Sequence, residues 1–108
     1  IATAFELAKE LNIDLKKGIY LGLQGPTFET LAEYKMVKAL GADCVGMSTV
    51  PEVIVARHME LETFGVSVIT DMGDEENIEE VNHEEVLQAA QKAEPHVRNL
   101  IKNLIAHY

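Results

Sequence analysis

Three short runs of consecutive apolar residues, each followed by a turn and a new pattern, constrain this chain more than anything else in it. They fall at 18–23 (Gly-Ile-Tyr-Leu-Gly-Leu), 43–47 (Asp-Cys-Val-Gly-Met) and 63–70 (Thr-Phe-Gly-Val-Ser-Val-Ile-Thr). Apolar residues that adjoin rather than alternate predict strands covered on both faces. The third run is β-branched and carries the strongest strand signal. Around these runs apolar residues recur at helical steps. Phe5, Leu7, Ala8 and Leu11 mark 2–11; Leu31, Tyr34, Met36, Val37 and Leu40 mark 28–40; a segment at 51–61 opens on Pro51; and Val86 to Ile105 mark 86–108. Asn12 stands where the first helix can stop, and Gly41 where the second needs a C-cap. Pro95 falls inside the last pattern and is expected to kink or divide it near Glu94. The order α-β-α-β-α-β-α predicts an α/β fold, a mixed, mostly parallel sheet flanked by helices.

The 108 residues allow one domain at most. A net charge of −9 argues against nucleic acid as a partner, because binding to a polyanion needs a basic surface. Eight of the 18 carboxylates lie between Asp71 and Glu85, where no Lys or Arg interrupts them, so 71–81 reads as a solvated acidic loop. No apolar run approaches the ~18–20 residues of a membrane helix. The lone Cys44 excludes an internal disulfide, suits a reducing, cytoplasmic setting, and reads as a small buried hydrophobe. The opening 2–11 looks like the tail of an amphipathic helix, which leads to the expectation that the chain is a piece of something longer.

Ligands in sheets of this kind collect at the carboxyl ends of the strands. Those ends are Gln24 to Glu29, Met47 to Thr49, and Thr70 onward. Residues 43–52 read as a strand, a tight turn with the hydroxyls of Ser48 and Thr49, and a helix opening on Pro51. Such a junction suits an anion, phosphate above all, although Ser48 or Thr49 capping the helix explains the same residues. Glu29, beside Phe28, could accept paired N–H bonds from a flat heterocycle, or could be a first-turn helix acid. Asp71 could reach the same ligand or merely open the acidic loop. Asn82-His83-Glu84-Glu85 reads as a helix cap, and His83 there is either structural or an acid–base group. Glu33 and Glu52 are most simply surface or capping acids. His58 has no second His or Cys at ligand spacing, so no metal site is indicated. Neither a dinucleotide-binding glycine motif, a Walker-type loop nor a serine elbow is present.

The segments Gly25-Pro26-Thr27-Phe28-Glu29-Thr30 and 41–56, Gly-Ala-Asp-Cys-Val-Gly-Met-Ser-Thr-Val-Pro-Glu-Val-Ile-Val-Ala, resemble the purine nucleoside phosphorylase family of trimeric type. Asn82-His83-Glu84-Glu85-Val86 does so too, and the likeness spans about residue 18 to the end. It implies an incomplete nucleoside phosphorylase-like α/β/α fold, with 1–108 the C-terminal portion of a single domain. The implied reaction is reversible phosphorolysis of a purine nucleoside to free base and ribose 1-phosphate, with inorganic phosphate as co-substrate and no metal or organic cofactor. Residue by residue, the resemblance puts Phe28 against base or sugar and Glu29 on N1–H and a 2-amino group. Val45 and Met47 would line the base and ribose pocket, Ser48 would donate to phosphate, and His83 would bond the 5′-hydroxyl. The complete enzyme would be a homotrimer in the cytoplasm, with neither nucleic acid nor membrane as partner.

Two departures from the family pattern matter. Asp71 stands where enzymes acting on 6-oxopurines usually place an Asn that bonds N7 and O6; burial beside Glu29 would push one of the two carboxylates toward its neutral form. Methylthioadenosine phosphorylases carry Asp there but lack the Glu that Glu29 supplies. Glu29 favours inosine and guanosine, and a methylthioadenosine or adenosine phosphorylase is the alternative. The family's N-terminal phosphate loop, its Arg-x-His segment and a neighbour's aromatic are also absent. The chain alone is therefore expected to be inactive, to associate with its missing part, or to persist as a non-catalytic purine-binding fragment.

Overall fold

A parallel pair of strands, β1 (Tyr20–Gly22) and β2 (Cys44–Gly46), forms the sheet of the computed structural model, which describes residues 1–73 and 82–108. The rungs are Tyr20↔Cys44, Leu21↔Val45 and Gly22↔Gly46. Cys44 N–H donates to Ile19 O at 3.1 Å, and Leu23 N–H extends the ladder to Gly46 O at 2.8 Å. Asp43 fixes the entry, its Oδ2 accepting from Ile19 N–H at 2.7 Å. The expected strands at 18–23 and 43–47 are thus present, trimmed at their ends.

The chain divides into two compact units. One comprises Gly18–Val81 and holds the sheet with α2 (Leu31–Ala39) and α3 (Val50–His58). α2 makes the crossover that parallel strands require. It opens with a capping box: Glu33 N–H donates to Thr30 Oγ1 at 3.3 Å, while Thr30 N–H donates to Glu33 Oε2 at 2.7 Å. Glu33 is therefore a capping acid, and the helix begins three residues later than the apolar spacing suggests. Val37 is the residue that α2 buries.

The other unit joins Ile1–Lys17 to Asn82–Tyr108. In it α1 (Ala2–Glu10) packs on α4 (His83–His107). Ala4 and Ala8, one turn apart on α1, are buried, as is Leu100 of α4. Small residues at that spacing let the helices approach closely. Asn82 caps α4, its Oδ1 accepting from Glu84 N–H at 2.9 Å, as the sequence predicts. Pro95 does not divide α4: helical backbone continues through it to His107, and Glu94 pairs with Arg98 across the position. A proline loses one intrahelical donor, but the helix is half-buried on both sides of it, at Ala93 and Val97, and buried at Leu100.

The strand expected at 63–70 is absent. Those residues carry no ladder bonds, and Val66 and Ile69 lie exposed. β propensity measures how well side chains fit a pleated, partnered surface, and among the described residues no strand pairs with this segment. The predicted loop at 71–81 is described only as far as Gly73, where it is irregular; the rest of that expectation lies outside the described residues.

α1, α2 and α3 close in the same way. The residue after each C-cap, Asn12 (φ 53), Gly41 (φ 83) and Glu60 (φ 61), takes the left-handed conformation. The next amide in each case returns to the third-last helical carbonyl: Ile13 to Ala8 at 2.7 Å, Ala42 to Val37 at 3.2 Å, Leu61 to Ala56 at 2.9 Å. A Cβ at Gly41 would meet nothing within 4 Å, so its glycine is there for backbone conformation alone. Gly41→Ala is expected to lower unfolding stability by about 1 kcal/mol, read from the shift in a urea midpoint at constant slope.

Candidate functional site

Because β1 and β2 are parallel and in register, their carboxyl ends lie side by side. Beyond Gly22 the chain runs through Gln24 to Glu29; beyond Gly46 it runs through Met47, Ser48 and Thr49 into α3. Between the two exits lies a recess of about 320 Å³, lined by Leu23, Gln24, Gly25, Thr27, Glu29, Glu33 and Met47. Gly25 holds φ 66, and a Cβ there would collide with Met47 Sδ. In this arrangement the Met47 thioether fills the space a Cβ at position 25 would take, and the positive φ there favours glycine.

The structure brings Glu29 and Met47 together in this recess. Glu29 precedes the Thr30 cap, so it is not a first-turn acid of α2; Glu33 fills that role. Glu29 is half-buried. Phe28 sits beside it, half exposed at 50%, and does not line the recess. Val45 is a half-buried β2 residue one rung back. His83 belongs to the other unit, where it is the exposed first residue of α4.

At the start of α3 the expected capping is missing. Thr49 is the N-cap, but its side chain caps nothing; at φ 74 its hydroxyl lies 3.2 Å from Ser48 Oγ. The amides are largely engaged. Ser48 N–H donates to the Tyr20 hydroxyl at 3.2 Å, Val50 N–H returns to Ser48 O at 2.8 Å, and Pro51 has no N–H. What the turn presents is therefore a pair of adjacent hydroxyls at a helix N-terminus rather than a nest of free amides.

Asp71 is exposed, so the burial expected to neutralise one carboxylate of an Asp71–Glu29 pair is absent. Its carboxylate instead accepts from the neighbouring Thr70 hydroxyl, Oγ1 to Oδ1 at 3.1 Å. Tyr34 was not singled out by the sequence, where it counts only as an apolar position of α2. Its half-buried ring packs on the Gly73 backbone, where an added Cβ would come within 2.8 Å of Cδ1 and Cε1. Desolvation pushes the Tyr34 phenol above the usual tyrosine range, and the charges of Asp71 and then Glu29 push it further. One phenol thus reports both candidate base ligands.

Cys44 is half-buried, short of the buried small hydrophobe the sequence suggests. Burial, with the Asp43 charge alongside, pushes its thiol up, and Sγ lies 3.7 Å from Ile19 O. Among the described residues no three His, Cys, Asp or Glu side chains gather as a metal site needs, and no helix is long and apolar enough to cross a membrane.

Residues 1–106 match the family model of the phosphorylase superfamily. Purine nucleoside phosphorylase 1 of Bacillus subtilis is 39% identical over 105 residues, covering 97% of this chain and 39% of its own length. A Schistosoma mansoni purine nucleoside phosphorylase, isoform 2, solved with cytosine and ribose-1-phosphate, superimposes with a TM-score of 0.91 at 38% identity, over 96% of this chain and 38% of that one. A purine nucleoside phosphorylase from the same organism, solved with inosine, gives 0.89 at 35% identity, over 96% and 38%. The chain thus spans about two-fifths of the length of these relatives.

The cluster around Tyr34 has a spectroscopic consequence. A phenol whose folded-state pKa is raised favours the neutral form, so it contributes stability below its ordinary value that is lost as pH rises through the folded one. In the tyrosinate absorbance band, Tyr34→Phe is expected to remove a step lying above the usual tyrosine range. Asp71→Asn is expected to move that step down.

Proposed function

The chain belongs to the phosphorylase superfamily, and on that premise we propose that the protein carrying it is a purine nucleoside phosphorylase acting on inosine and guanosine. Residues 1–108 form the C-terminal portion of its single domain. The observation that supports the reading is the recess at the carboxyl ends of β1 and β2, lined by both Glu29 and Met47, with Ser48 following Met47 along the chain.

A phosphate oxygen attacks C1′ of the nucleoside, the C1′–N9 bond breaks, and the bonding pair leaves with the base. A proton on the purine completes the free base, and ribose 1-phosphate is the other product. Positive charge gathers on the sugar in the transition state, so a phosphate dianion beside it contributes by its charge. Glu29 accepts from N1–H and a 2-amino group, a paired arrangement that a carboxylate makes and a carboxamide makes poorly. Met47 and Val45 give the base and ribose an apolar wall, Phe28 closes over them, and Asp71 takes the remaining edge of the base. Ser48 donates to phosphate. His83 is assigned to the 5′-hydroxyl on its sequence motif. The reaction needs no metal or organic cofactor, and the enzyme acts as a cytoplasmic homotrimer.

The test is release of hypoxanthine from inosine by the whole protein, with and without phosphate. Phosphate-dependent release is expected, and release indifferent to phosphate would overturn the reading. Ser48→Ala should raise the KM for phosphate about tenfold with a smaller change in that for inosine, as loss of one hydrogen bond to a charged group predicts. Glu29→Gln should lower kcat/KM for inosine by roughly tenfold to a hundredfold.

A further inference from the structure

We propose that Tyr20 is a positioning residue for phosphate: its hydroxyl holds the Ser48 amide and so fixes the direction in which the Ser48 hydroxyl is offered. The inference rests on the reading of Ser48 as a phosphate donor. It goes beyond that reading by assigning the aim of the donor to a side chain on the neighbouring strand. Tyr20 opens β1 on the rung opposite Cys44. Its phenol passes over Gly46 toward the carboxyl end of the sheet, where an added Cβ would collide with the hydroxyl and come within 3.1 Å of Cζ. Beyond Gly46 the Tyr20 hydroxyl accepts from Ser48 N–H at 3.2 Å.

Ser48 is held at three points. Its N–H is bound by Tyr20, its carbonyl accepts from Val50 N–H at 2.8 Å, and its Oγ lies 3.2 Å from Thr49 Oγ1. The first two bonds set the peptide planes on either side of Ser48 Cα, and with them the direction of Cβ. The third restrains the side-chain torsion; with the Thr49 hydroxyl donating, the Ser48 proton is left for a ligand. The bond from Val50 N–H to Ser48 O also closes a γ-turn on Thr49. A φ of 74 with ψ of −47 is a rare and strained conformation for a β-branched residue. Such backbone persists only where its surroundings over-determine it. Tyr20 supplies that restraint from outside the turn, and Val50 seated at Gly22 supplies another. With Glu52 in the first turn of α3, the junction has little charge with which to draw an anion. What it offers is direction, and direction is what loss of the Tyr20 bond removes.

The experiment measures KM for phosphate and for inosine on the whole protein in Tyr20→Phe, Ser48→Ala and the double variant. Tyr20→Phe keeps the ring beside Gly46 and removes only the acceptor. It is expected to raise KM for phosphate about fivefold, the size of one neutral hydrogen bond, and to leave KM for inosine unchanged. In the Ser48→Ala background the same change is expected to do nothing further, because no hydroxyl is left to aim. A rise that persists in that background, or one shared equally by phosphate and inosine, would show a structural role only and overturn the proposal. So would an unchanged KM for phosphate, or a fall caused by the freed Ser48 amide reaching the anion itself. In each of those cases phosphate-dependent turnover by the parent protein leaves the proposed reaction standing. Absence of that turnover in the parent would remove the reaction itself, and the inference with it.

Discussion

The close approach at the last rung of the β1–β2 ladder governs the rest of the structure. Gly22 faces Gly46 there, and both are glycine for reasons of space. A Cβ on Gly46 would collide with the Tyr20 hydroxyl, and one on Gly22 would come within 2.9 Å of Val50 Cγ2. Glycine within a strand costs backbone entropy and side-chain packing. Here the vacated volume admits the Tyr20 phenol, which then reaches the Ser48 amide, and Val50, which brings the first turn of α3 against β1. The turn that carries the candidate phosphate ligand is thus aimed from the neighbouring strand. Gly25 repeats the arrangement one turn further on by admitting Met47.

Much of this was legible in the sequence because its signals are local. Consecutive apolar residues marked both strands; Gly41 and Asn12 marked helix ends whose left-handed backbone only a few residue types tolerate; Asn82 marked the start of α4. Glu60 closes α3 in the same conformation with no such signal in its residue type. Residues 63–70 carried the strongest strand signal and formed no strand, because a strand is a statement about a partner as well as about its own side chains. Pro95 similarly promised a break that the surrounding helix does not make.

At the site, Glu29 and Met47 could be placed together because the strand order brings two carboxyl ends to one edge. The tyrosines could not. Tyr20 and Tyr34 each sit at an apolar position of a strand or helix, and counting them as apolar is right for their rings. The Tyr20 hydroxyl accepts from the Ser48 amide 28 residues away, and the Tyr34 phenol lies within reach of the Asp71 charge, which raises its pKa. A phenol is an apolar body with a polar tip. Periodicity detects the body, and only the three-dimensional arrangement reveals what the tip reaches.

The same accounting bears on how phosphate can be held. The start of α3 looks in sequence like an anion cradle, yet the Ser48 and Val50 amides are engaged and Glu52 adds a negative charge in the first turn. A carboxylate there already answers the positive end of the helix dipole and repels a second anion. Two hydroxyls and a partly answered dipole are a weak site for a dianion in a chain of net charge −9. Ser48 therefore offers an anion one directional hydroxyl and little charge to hold it.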